Sequence, residues 1–205
     1  MSTERPSRRE VAAADTRREI LRAARRLFAE HGFASTSVQQ IAEQAGVAVQ
    51  TIYSSVGSKS ALLLALNDLI DEEADVAGLT AELLQETGPP QLIAKGVHLT
   101  RQLNERCGDL IQVLLSAEPA EPEAAAVVAD GMRRHEHGAD QLAQRLAALG
   151  ALQAGTTPER ASAVFSMMTS PASWRQLTHR AGWTFDEAEA WLTPSLTQLL
   201  LKKNR

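Results

Sequence analysis

Gln50, Thr51, Tyr53, Ser54 and Ser55 crowd one short stretch, and Ser58 and Lys59 follow closely. Between them they offer an amide, hydroxyls and an ammonium, with no carboxylate in the set. Groups of this kind suit a double helix. A Gln amide donates and accepts together at adenine N6 and N7, and Thr meets a base edge or a thymine methyl. Hydroxyls and lysines bind phosphates, which fix register without reading sequence. Ser58 has the residue type and position to cap a following helix, which places Lys59 in its first turn. A lysine is disfavoured at the positive end of a helix dipole. Beside a phosphate the position becomes useful, because N–H groups and ammonium then converge on one anion. The competing interpretation is an ordinary helical hairpin in a bundle core with Lys59 solvated, and spacing alone leaves both open.

Other residues with reactive side chains combine less well. His135-Glu136-His137 resembles a metal tract, but residues at i and i+2 of a helix point to different sides and cannot share an ion. Cys107 and His98 are a conceivable nucleophile and base without an orienting third group, and a lone buried thiol behaves as a small hydrophobe. Neither a phosphate-binding glycine loop nor a zinc-like cysteine pair is present in the sequence. The expectation is therefore no catalytic residue, no metal and no cofactor. A helical enzyme stays as an alternative that would require titratable groups converging in a cleft.

The polar stretch needs a scaffold, and the residues before it supply one. Val38, Ile41, Ala42 and Ala45 recur at i, i+3, i+4 and i+7, one apolar face of a helix. Ser37 and Gln40 fit a capping box. Gly46 sits just past the last periodic residue, where a left-handed backbone is least costly without a Cβ. Only Val47 separates it from a second helical run over 48–54. Two helices hinged this tightly at a glycine form a helix-turn-helix, whose second helix can enter a major groove.

The segment TRREILRAARRLFAEHGFASTSVQQIAEQAGVAVQTIYSSVGSKSALL, Thr16 to Leu64, resembles the DNA-binding domain of the tetracycline-repressor (TetR) family of bacterial transcription regulators. The likeness lies in the order of Phe28, His31-Gly32-Phe33, Val38, Ile41-Ala42, Ala45-Gly46-Val47, Thr51-Ile52-Tyr53 and Ser58-Lys59. Val49 stands where many relatives carry a lysine or arginine, which removes one expected phosphate or guanine contact. Val56 replaces the commoner aromatic. The resemblance implies an all-α fold of about nine helices, a three-helix DNA-binding head with a helix-turn-helix on a helical ligand-binding and dimerisation body. It implies DNA contacts from Ser37, Gln39, Ala48, Val49, Gln50, Thr51, Tyr53, Ser54, Ser55 and Lys59, with Gln39 carried over from the family alone. It further implies a homodimer through the last two helices, a palindromic operator, and a repressor released by a small-molecule effector. His98, Gln102, Met132, His135, Met167 and Met168 are the candidate lining of the effector pocket, mixing apolar surface with a few polar tips. A DNA-binding regulator without an effector is the alternative.

Composition agrees with that class. The 205 residues, 44% hydrophobic but only 4% aromatic, can bury a core and favour helices over sheets. The longest apolar runs, Ala61–Leu66 and Ala124–Ala129, are too short to span a bilayer. The charged N-terminus predicts no signal peptide, and the single Cys107 suits a reducing cytoplasm. Residues 1–60 hold nine Lys and Arg against six Asp and Glu, while the remainder holds twelve against nineteen. A basic head on an acidic body orients the head toward DNA.

Along the chain, residues 1–14 read as a flexible tail whose Arg5, Arg8 and Arg9 are candidates to reach DNA. Residues 15–60 are the head and 61–205 the body. The first helix is expected from Asp15 to His31, with Ile20, Leu21, Ala24, Leu27 and Phe28 on its core face. The fourth is expected over 58–76, with Leu62, Leu66, Leu69 and Ile70 inward and an acidic end at Asp68, Asp71, Glu72, Glu73 and Asp75. Body helices are expected over 91–107, 109–117 and 123–149, the first two parted by Gly108. Another starts at Thr157-Pro158 and is kinked or split by Pro171. The last, 184–201, is expected to bury Ala188, Trp191, Leu192, Leu196, Leu199 and Leu200.

Overall fold

The computed structural model describes residues 7–202, apart from the side chains of Asp68, Leu69, Asp71 and Glu72. Expectations for Arg5 and for those four side chains lie outside the described residues. The fold is all-helical. In order the helices are α1 (Arg8–His31), α2 (Val38–Ala45), α3 (Val49–Ser55), α4 (Lys59–Glu73), α5 (Val76–Gln85), α6 (Pro89–Ala117), α7 (Pro122–Ala148), α8 (Pro158–Thr169), α9 (Pro171–Arg175) and α10 (Phe185–Leu200). A π-helical turn, Gln176–Arg180, continues α9. The extended pairing among the described residues is a single bridge, Leu152 to Leu201.

The chain forms two compact units. One contains the residues up to Leu69 together with Gln112–Val128, and the other Ile70–Ile111 together with Ala129 onward. In the first unit α1, α2 and α3 pack on one another. Ile20, Leu21, Phe28, Ile41, Ile52, Leu62 and Leu66 are almost wholly buried. The Phe28 and Phe33 rings meet at 5.1 Å, and buried Thr36 donates to the Gly32 carbonyl at 2.9 Å. The end of α6 and the start of α7 belong to this unit as well, with Val113, Leu114, Ala117 and Ala124 buried. A head ending at residue 60 is therefore too short as a packing unit.

The second unit is organised around Trp174, 1% exposed, with Leu92, Ile93, Val97, Leu142, Leu146, Phe165, Leu192 and Leu196 in the same core. The indole N–H donates to Thr100 Oγ1 at 3.2 Å, and that hydroxyl donates to the Val97 carbonyl at 2.8 Å. Gly96 lets α6 close on its neighbours. A Cβ there would lie 2.7 Å from Leu142 Cδ1 and 2.9 Å from Phe165 Cζ. Gly96→Ala is expected to cost about 1–3 kcal/mol through this overpacking, measured by urea unfolding. A variant as stable as the parent would show that these helices are not held so close.

Several local expectations are corrected. α1 begins at Arg8, not Asp15: Ser7 caps it, with Glu10 completing a capping box. Residues 8–14 are thus helical rather than a flexible tail, and Arg8 and Arg9 sit in the first turn. Asp15 lies mid-helix, paired with Arg18 at 3.1 Å. α4 stops at Glu73 because Asp75 turns the backbone left-handed at φ 51°, and α5 follows as a separate helix. α6 runs unbroken through Gly108; a mid-helix glycine costs only about 1 kcal/mol, and Cys107 and Leu110 are buried on either side of it. Pro171 splits α8 from α9, with Ser170 serving both as the C-cap of one and the N-cap of the other. Trp191 and Leu199 of α10 point outward, 48% and 53% exposed, where burial was expected.

Candidate nucleic-acid interface

The scaffold of the polar stretch forms as its residue types dictate. Ser37 Oγ accepts from the Gln40 N–H at 3.2 Å while Gln40 Oε1 accepts from the Ser37 N–H at 2.7 Å, a complete capping box. Gly46 is left-handed (φ 67°, ψ 32°) and its N–H returns to the end of α2. Val47 N–H reaches the Ala42 carbonyl at 3.0 Å. α3 then opens at Ala48 and buries Ile52 alone.

Everything else on α3 is wholly or partly outside. Val49, Gln50, Tyr53 and Ser54 are exposed, and Ala48 beside them also. Gln50, Tyr53 and Ser54 fall at i, i+3 and i+4, which makes them one outward face. Tyr53 is 51% exposed, so its ring is not a core element. Gln39 on α2 is exposed as well, and neither its side chain nor that of Gln50 hydrogen-bonds another described residue. Ser37 is exposed; its oxygen is used as an acceptor within the cap, which leaves its proton free to donate. Thr51 and Ser55 are half-buried. Ser54 donates back to the Thr51 carbonyl at 3.1 Å, so its proton is already committed.

Lys59 is less extended than a free phosphate ligand. Its Nζ lies 4.2 Å from the centre of the Phe33 ring and 3.4 Å from the Ala34 carbonyl. Burial there pushes the ammonium below its ordinary range, against a smaller opposing pull from the Glu121 carboxylate. Two positioning groups were not found from the sequence. Arg17 on α1 donates to the Ser55 carbonyl at 2.8 Å, so a guanidinium meets the negative end of α3. Ser60 donates to Glu121 Oε2 at 3.1 Å, from a residue far along the chain. Local periodicity holds no signal for either pair.

The effector candidates divide. In the second unit His98 Nδ1 lies 2.9 Å from Glu189 Oε1, and its other ring nitrogen lies 3.3 Å from the Gln102 amide. Arg101 bridges Glu105, Glu189 and Asp186, and these carboxylates hold its guanidinium pKa above the ordinary value. His98 borders an open cleft of about 230 Å³ with Leu79, Glu82, Ala94, Lys95 and Glu189. The other candidates lie apart from that cleft. His135 is tied to the Ser166 carbonyl at 3.0 Å, Met168 packs on the core, and Met132 and Met167 are 39% and 64% exposed.

A helix-turn-helix with an outward polar face on its second helix gives the first unit the geometry of a DNA-binding module. Residues 20–66 match the family profile of the bacterial regulatory proteins of the tetR family. Over that segment, about a quarter of its length, the chain is similar to the tetR family. It is 38% identical over 82 residues to the HTH-type transcriptional repressor AcnR of Corynebacterium glutamicum, a match over 38% of this chain and 40% of the relative's length. The architecture extends further than the sequence identity. A protein assigned as a transcriptional regulator from Saccharomonospora viridis, solved with choline, superposes with a TM-score of 0.76 at 19% identity over 93% of this chain and all of its own. FadR of Bacillus subtilis, solved with stearoyl-CoA, does so with 0.72 at 17% identity over 89% and 98%. The matched profile describes bacterial regulatory proteins, and the matched relative is named as a transcriptional repressor. No described helix is long and apolar enough to cross a membrane.

Proposed function

We propose that the protein is a homodimeric repressor that binds a palindromic operator and leaves it when a small molecule binds the second unit. The observation that carries this reading is the outward face of α3, where Gln50 stands exposed and unpartnered in a properly hinged helix-turn-helix. In the major groove Gln50 and Thr51 read bases, joined by Gln39 from α2, while Ser37, Tyr53, Ser55 and Lys59 hold phosphates. Exposed Ala48, Val49 and Ser54 complete the contact surface. Two-fold symmetry supports the affinity, because one α3 reads few base pairs and a second half-site about one helical turn away doubles the contacts. The outward Met167, Trp191 and Leu199 on α8 and α10 give the two copies an apolar face to share.

Selection of bound sequences from random duplex DNA tests this, repeated with a metabolite library present. Gln50→Ala is expected to relax the preference at one base position, with about 1–3 kcal/mol at stake. Equal binding of every operator variant by Gln50→Ala and the parent would remove the base-reading role.

The effector half of the reading places the ligand at the cleft bordered by His98, whose ring Gln102 meets from outside the lining. Neighbours of the same fold hold choline and stearoyl-CoA. An effector-independent regulator is favoured by one observation: the cleft, at about 230 Å³, falls below the roughly 300–1,000 Å³ of ordinary ligand pockets. Thermal shift across the metabolite library separates the two.

A further inference from the structure

We propose that Glu121, at the corner between α6 and α7, sets how tightly the head holds DNA phosphate by placing a fixed carboxylate beside the first turn of α4. The proposal rests on the DNA-binding reading above and adds a residue outside the helix-turn-helix.

The geometry is local to the first unit. Ser60 Oγ donates to Glu121 Oε2 at 3.1 Å, and Lys59 is the adjacent residue. The corner that carries Glu121 is fixed rather than loose. Glu118 N–H reaches the Leu114 carbonyl, and the Ala120 and Glu121 N–H groups both reach the Ala117 carbonyl, each at 3.0 Å. Leu114, Ala117 and Ala124, on the two sides of the turn, are at most 5% exposed. Packing therefore decides where this carboxylate sits.

Its place has an electrostatic consequence. The start of α4, where Ser58 Oγ already accepts from the Ala61 N–H at 3.1 Å, combines the positive end of a helix dipole with the Lys59 ammonium, and both attract an anion. Glu121 is an anion already there. It offsets part of that attraction and repels an incoming phosphate. Salt weakens the effect without abolishing it under physiological conditions, because charges screen over about 8 Å at that ionic strength. Lys59 is tied to the same balance through the pull of Glu121 on its ammonium, and it rests over Phe33 rather than reaching outward.

Glu121→Gln removes the charge and keeps an acceptor for Ser60. Glu121→Ala removes both. Each is compared with the parent, Lys59→Gln and the Lys59→Gln/Glu121→Gln double variant, for binding to random-sequence and selected duplexes across a salt series. Both Glu121 variants are expected to bind every duplex about three- to tenfold more tightly at low salt, the size of one screened charge at short range. The gain should shrink as salt rises and should be reduced, but not abolished, in the Lys59→Gln background, because the direct repulsion of phosphate by Glu121 does not pass through Lys59. Binding equal to or weaker than the parent overturns the proposal. So does a gain confined to Glu121→Ala, which would belong to the hydrogen bond, or a gain undiminished in the Lys59→Gln background. If the parent itself binds no duplex, the regulator reading fails and takes this inference with it; any of the other outcomes leaves that reading intact.

Discussion

Trp174→Ala is expected to cost about 3–5 kcal/mol of stability, the range for deleting a large buried aromatic. Trp174 is 1% exposed at the centre of the second unit's core, so its removal opens a cavity that surrounding leucines can only partly fill. Its indole is also a hydrogen-bond donor to Thr100, itself 5% exposed. Alanine would leave that hydroxyl oxygen without the donor, and an unsatisfied buried acceptor adds its own cost. The tilted pairing with Phe185, centroids 5.7 Å apart, is lost as well. Unfolding in urea, followed by circular dichroism, reads the change. Trp174→Phe should lose less, since it keeps most of the volume. A loss below about 1 kcal/mol for the alanine variant would mean that the tryptophan is not buried as described.

What the sequence made legible follows from how local each signal is. Ser37 with Gln40, Gly46 and Thr157-Pro158 are caps, and each acts within one helical turn. The structure uses all of them. The outward residues of α3 were legible for the same reason, because α3 is short and one buried residue, Ile52, sets its orientation. Ser7 and Glu10 were also a cap, but the residues after them show no apolar periodicity and stay exposed, so the start of α1 passed as tail. The break before α5 has no glycine or proline to announce it; Asp75 itself takes the left-handed conformation. Gly108 was read as a break because burial on both sides, which carries the helix through, is a tertiary effect. Glu121 meets Ser60 across a long stretch of chain, a pairing that no periodicity encodes.

Trp191 shows the same limit from the opposite direction, and it carries the second large expected effect. Apolar spacing on α10 placed Trp191 and Leu199 with Leu192, Leu196 and Leu200, yet spacing cannot say whether a second apolar face packs inward or outward. Here Leu192, Leu196 and Leu200 are buried while Trp191, Leu199 and, on α8, Met167 are exposed. α8 and α10 pack together. An apolar face of this kind on paired helices is what a self-complementary interface uses. Trp191→Glu is therefore expected to convert the proposed dimer to a folded monomer, since a carboxylate buried without a partner in an interface is strongly penalised. The fold should survive, because the exposed Trp191 ring has one ring partner, the edge of Trp183 at 5.8 Å. Operator affinity should fall by about 10²–10⁴, the gain ordinarily supplied by linking two binding heads, with affinity for an isolated half-site little changed. Sedimentation of the variant against the parent, alongside binding to full and half operators, reads both effects. A variant that stays dimeric would place the interface elsewhere. A monomer that still bound the full operator as tightly as the parent would show that the two heads are not read together.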